Sequence, residues 1–194
     1  MRRIPALAVS LVLATAAAAG AAPARGVTFT DPAGDADAVD GRAGATSQAR
    51  FDVVRVRLAP HARTAKSSGV AIRIDLASAP STSPGSSYFF TAKQGACDIT
   101  VSRTATTDGI ANSTLVMCGP VVGEYHSTSV AKGLSPTGTS ISFTVPADAL
   151  PNPALGAQLT AIEVGTSAGE PVSGYASPAR IDRAAYAKAY RLGS

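Results

Sequence analysis

Apolar and polar residues alternate at period two along this chain, and that pattern limits the fold more than any other feature. Val54, Val56 and Leu58 alternate with Arg55 and Arg57, and Val70, Ile72, Ile74 and Leu76 alternate with Ala71, Arg73 and Asp75. Ile141, Phe143 and Val145 flank Ser142 and Thr144, and Thr160, Ile162 and Val164 flank Ala161 and Glu163. Successive side chains of a strand point to opposite faces, so each run makes a strand with one face for a core and one for water. Convincing helical periodicity is absent. Further strands are expected at Val27–Thr30, Tyr88–Ala92, Asp98–Arg103, Thr114–Cys118 and Glu124–Val130. Between them, Ala79–Gly85, Gly133–Gly138 and Pro146–Gly156 are too rich in Pro, Gly and Ser to continue a strand. About nine short strands with regular breaks predict an all-β fold: a two-sheet antiparallel β-sandwich, jelly-roll or immunoglobulin-like.

The N-terminus carries an address. Arg2-Arg3 precedes an apolar run from Ile4 to Ala19, and Ala22-Pro23-Ala24 supplies small residues at a cleavage site. This is the layout of a secretory signal peptide over residues 1–24. Residues 25–194 then form a single β-sandwich domain, long enough to bury its own core. Pro5, the many alanines and the lack of a following basic cluster argue against a membrane anchor. The expected product is secreted and unanchored after cleavage. The formal charge of +4 falls to +2 without Arg2 and Arg3, and charged residues are only 15% of the chain. That is too little positive charge for a nucleic-acid partner.

Export makes a disulfide the default for the two cysteines, Cys97 and Cys118. The segment between them reads as a hairpin, with Asp108-Gly109 as its turn signal. Facing the cysteines across the ladder pairs Ala105 with Ile110 and leaves Thr106-Thr107-Asp108-Gly109 as the turn. The crosslink and the turn therefore imply one register, with the cysteines at a non-hydrogen-bonded position.

Asp31-Pro32-Ala33-Gly34-Asp35-Ala36-Asp37-Ala38-Val39-Asp40 packs four carboxylates into ten residues. Calcium takes six to eight oxygens from carboxylates and loop carbonyls. The EF-hand pattern fails here, because Val39 replaces an acid and no glutamate follows at the required spacing. A solvated acidic loop and a calcium loop both fit the composition.

Three segments together, Phe29-Thr30-Asp31-Pro32-Ala33-Gly34-Asp35, Phe51-Asp52-Val53-Val54-Arg55-Val56 and Phe143-Thr144-Val145-Pro146-Ala147-Asp148-Ala149-Leu150, resemble secreted bacterial β-sandwich domains of the DOMON-like and family-9 carbohydrate-binding type. The resemblance implies structural calcium held by the acidic loop, and it nominates Asp31, Asp35 and Asp52 as metal-ligating residues. It also implies a closing strand through Asp182, Ala184, Tyr190, Leu192 and Gly193. Read without it, residues 182–192 could be a helix capped by Asp182.

Catalytic motifs are weak. Gly165-Thr166-Ser167-Ala168-Gly169 matches a nucleophile elbow, but Pro171 and Gly174 deny it the following helix, and both histidines precede the serine. A small-residue β-turn is the expectation there. His61, in a polar loop, and His126, in a Ser/Thr-rich strand, lack partners at ligand spacing. Tryptophan is absent, so only Tyr88, Tyr125 and Tyr175 remain as sugar-stacking platforms, or else as edge tyrosines with hydroxyls in water. The chain reads as a non-catalytic binding or structural protein of the extracellular space or cell envelope, with an unidentified ligand that a polysaccharide would satisfy. A stand-alone carbohydrate-binding module is the alternative, and a serine hydrolase at Ser167 the remote one.

Overall fold

Each period-two run is a strand. The computed structural model describes residues 26–36, 49–119, 125–131, 138–168 and 179–194. The expected leader, the acidic loop beyond Ala36, Glu124, the loop from Gly133 to Thr137, and Gly169 to Tyr175 lie outside them. The strands are β1 (Val27–Thr30), β2 (Val53–His61), β3 (Gly69–Leu76), β4 (Ser87–Gln94), β5 (Cys97–Thr106), β6 (Gly109–Cys118), β7 (Tyr125–Ala131), β8 (Ser140–Val145), β9 (Gln158–Ala168) and β10 (Ala179–Tyr186), with a two-residue β11 (Tyr190–Arg191). One 3-10 turn, Ala147–Ala149, is the sole helical element among the described residues. None of their helices is long and apolar enough to cross a membrane.

Two antiparallel sheets result. The smaller has the order β1-β2-β3-β8, and the seven-stranded one runs β10-β9-β4-β5-β6-β7, with β11 also pairing β9. Consecutive strands β3 and β4 pair with β8 and β9, one in each sheet, so a two-stranded ribbon winds across both layers, as in a jelly roll. The apolar positions of the alternating runs meet between the sheets. Val56, Leu58, Ile72, Ile74, Ile141 and Phe143 face Phe90, Ile99, Val101, Ile162 and Val164 in one continuous buried cluster. Burying each such side chain contributes about 1.5–3 kcal/mol.

The outward face of the smaller sheet is arginine-rich. Arg55 and Arg73 donate to opposite oxygens of the buried Asp75 carboxylate, both at 2.7 Å, and Arg57 lies 3.9 Å away. Burial raises the Asp75 pKa, but the hydrogen bonds from Arg73, Arg55 and Ser140 outweigh it and leave the carboxyl below its usual range.

The hairpin register is the expected one. Cys97 pairs with Cys118, Ala105 with Ile110 and Thr106 with Gly109. A disulfide joins the cysteines, whose Cα atoms stand 4.1 Å apart, the close spacing of a non-hydrogen-bonded pair.

Several expectations need correction. Residues 165–168 belong to β9 and are not a β-turn: Ser167 is 5% exposed and pairs in register with Ser87 and Arg180. His61 ends β2 and does not sit in a loop. Residues 179–186 are strand, as the closing-strand reading expects, so only the alternative helix capped by Asp182 is excluded. Tyr88 is 2% exposed, accepts a hydrogen bond from the Ser81 amide and donates one to the Arg50 carbonyl, so it is neither a stacking platform nor an edge tyrosine.

Candidate metal centre

At one end of the sandwich the chain leaves β1 and later enters β2, and carboxylates converge there. Asp31 follows β1 directly, and its amide donates to the Val54 carbonyl at 3.1 Å. Gly34 then turns the chain with φ at +89°, a left-handed conformation that a side chain would strain. The turn aims the Gly34 amide at Asp52 Oδ2, 2.7 Å away. Asp52 itself is 4% exposed and immediately precedes β2.

Asp182 arrives from β10. The β10–β9 register slips between Arg180 and Asp182, so β10 is bulged there. Bulges re-aim side chains, and this one coincides with an acid on an inward position. Asp182 Oδ2 accepts the Val53 amide at 2.7 Å, and its Oδ1 accepts the Arg183 amide at 2.6 Å. Val53 and Asp182 belong to different sheets and lie 129 residues apart in sequence.

Asp31, Asp35 and Asp182 each bring one oxygen into a group whose members all lie within 4.8 Å of one another. Of the expected ligands, Asp31 and Asp35 belong to this group. Asp52 lies behind it, gripping the Gly34 turn. Asp182, which the sequence places in a closing strand or at a helix cap, completes the group. Its partnership is invisible in sequence, because only the stacking of the two sheets brings β10 beside β2.

The cluster is electrostatically unfavourable as it stands. Burial, then the charges of Asp182, Asp35 and Asp52, push the Asp31 pKa up to about 6. Burial also raises Asp182; amide bonds from Val53 and Arg183 oppose it, while Asp35 and Asp52 add to it. Asp31 Oδ2 and Asp52 Oδ1 are buried without a hydrogen-bond partner. Tyr186, stacked on Phe29 with ring centroids 4.2 Å apart, leaves its buried hydroxyl equally unpartnered. Burial first, then the charges of Asp31 and Asp182, hold that phenol well above its usual pKa. Unsatisfied buried oxygens beside mutually repelling carboxylates are what a bound cation would relieve. The donor set is all oxygen, which suits a hard cation over zinc or copper.

The other candidates do not assemble a site. Ser167 is a buried ladder residue of β9, paired with Ser87 and Arg180, and not the exposed apex that a nucleophile elbow presents. His126 stands opposite Thr114 in the β6–β7 register. The chain matches no protein-family model, no curated protein and no solved structure.

Proposed function

We propose that this chain is a secreted, non-catalytic β-sandwich binding module whose first and last long strands are clamped together by calcium. The observation that carries the reading is the gathering of Asp31, Asp35 and Asp182 oxygens within 4.8 Å. Orphaned oxygens on Asp31 and Asp52 support it. Calcium fits better than magnesium, because a turn and a strand bulge give adaptable oxygens, whereas magnesium demands near-ideal octahedral geometry. The crosslinked hairpin is consistent with an oxidising compartment, where free calcium is also plentiful. Ser140 hydrogen-bonds the Asp75 carboxylate, but the arginines that hold this carboxyl below its usual range make it a weak base, which favours binding over catalysis.

Thermal melting of the mature chain tests the clamp. Calcium at 100 times its Kd stabilises by about 2.7 kcal/mol, which shifts Tm by several degrees. Chelator should reverse the shift. Asp35→Asn should abolish it while leaving the calcium-free Tm unchanged or raised, because the exposed Asp35 leaves a repelling group. Superimposable curves with millimolar calcium and with chelator would overturn the reading.

A further inference from the structure

The smaller sheet ends at β8, while the larger continues past it through β6 and β7. Where the layers part, a slot of about 190 Å³ opens between β8 and the β5–β6 hairpin. Its anomaly is Arg103. Along β5, Ile99, Val101 and Ala105 are buried inward positions, and Arg103 falls in the same series. Asn112 and Thr114 share its face, as the β6 partners of Arg103 and Val101. The half-buried Arg103 donates through Nε to Asn112 Oδ1 at 3.2 Å, and no carboxylate among the described residues pairs with it. Burial lowers its pKa, the mark of a cation short of solvent. A partly desolvated guanidinium keeps a fork of free donors, matched in shape to a carboxylate.

The opposite wall is the edge of β8. The Leu76 amide bonds the Thr139 carbonyl at 2.7 Å, which sets the alternation along this pair of strands. Ile141, Phe143 and Val145 therefore exchange their backbone bonds with β3, and the amides and carbonyls of Ser142 and Thr144 point away from it. Both residues line the slot. The recess thus offers a guanidinium, a side-chain amide, the Thr114 hydroxyl and β8 backbone groups unpaired among the described residues, with Phe143 and Val101 as its apolar floor.

We propose that this slot binds the carboxylate-bearing ring of an acidic sugar, a uronic acid residue of an extracellular polysaccharide. The guanidinium takes the carboxylate, and the amide, hydroxyl and backbone groups take the ring hydroxyls. An acidic peptide is the poorer fit. β8 is six residues long, and the other recess at it among the described residues, beside Ile141, holds about 10 Å³, too little for a side chain, whereas strand addition draws its specificity from a series of pockets for alternate side chains. The site lies away from the acidic cluster and extends the binding-module reading without depending on the cation.

Calorimetry on the mature chain at constant calcium tests it, with three probes: an oligogalacturonide, the neutral galactose oligomer and an oligoglutamate peptide. The oligogalacturonide is expected to bind roughly tenfold or more tightly than either of the others, and more weakly as salt rises. Arg103→Gln should weaken it roughly tenfold or more. Asn112→Asp should do the same while keeping Arg103, because it supplies the missing carboxylate from within. Equal binding of the neutral oligomer, tighter binding of the peptide, no heat with about 10 mM uronide, or undiminished affinity in folded Asn112→Asp would each overturn the proposal. Melting with calcium reports on the clamp alone, so failure of one leaves the other standing.

Discussion

At the scale of single residues, the acids divide by what surrounds them. Asp75 is buried among arginines and is held ionised, whereas Asp31 is half-buried among acids and is held toward its neutral form. The second case has a signed consequence. An acid whose folded pKa, about 6, exceeds an unfolded value near 3.9 binds its proton more tightly in the native state. Its destabilising effect is absent below the lower value and complete above the higher one. In calcium-free buffer, native chain and Asp31→Asn should therefore converge in Tm as pH falls from 7 to 4.5, with the variant more stable at the upper end. Comparing the two chains cancels the other carboxylates. A gap that stays constant or widens on acidification would show that Asp31 is not raised. The nominated Asp31 and Asp35 were legible because they sit in one short segment. Asp182 was not, because its neighbours come from other strands. Arg103 was legible only as a break in alternation after Ile99 and Val101, and its surroundings required the second sheet.

At the scale of elements, strands were readable wherever one face is apolar and the other polar. β1 has the predicted bounds, and the β5–β6 hairpin has the predicted register, since a turn signal and a crosslink fixed it independently. β10, read from its residues alone, is ambiguous between strand and helix for a physical reason. Its inward series contains Asp182 in place of a hydrophobe, and the bulge before it shifts the phase of the rest. β9 carries irregularities of its own. Ala161 has φ at +46° where the β4–β9 register shifts between Thr91 and Lys93, and it is exposed. A left-handed alanine costs roughly 1–2 kcal/mol, and glycine removes that strain at some cost in unfolded-state entropy. Ala161→Gly should therefore stabilise by about 0.5–1 kcal/mol in urea unfolding, with an unchanged m-value. A loss of stability would mean that the bulge is not strained. Four residues on, Gly165 has the opposite requirement: the Phe89 ring lies over its α-carbon, so any side chain there must displace the ring.

At the scale of the whole molecule, the two-layer arrangement follows from patterning, but the order of strands does not. Nothing local in β8 or β9 tells them to return beside β3 and β4. That choice belongs to the winding of the whole ribbon and to the core it closes. The disulfide acts at this scale as well, through the unfolded chain. Cys97 and Cys118 are 21 residues apart, and tying them together should stabilise by roughly 3 kcal/mol in the chain-entropy model. The double variant Cys97→Ser/Cys118→Ser should lose about that much in urea unfolding and still fold, because the buried cluster between the sheets is untouched. A loss below about 1 kcal/mol would show that the hairpin is already closed in the unfolded state.

The bond from the Val53 amide to Asp182 has a further consequence in time. Two of the clustered acids lie beside the first strand, and the third waits on β10, 129 residues beyond Val53. A chain emerging N-terminus first presents Asp31 and Asp35 early, yet they are half a cage until β10 docks across the sheets. On the proposed clamp, ion capture would be the closing step of assembly and not its nucleus. Tight calcium binding would distinguish finished molecules from those still on the way.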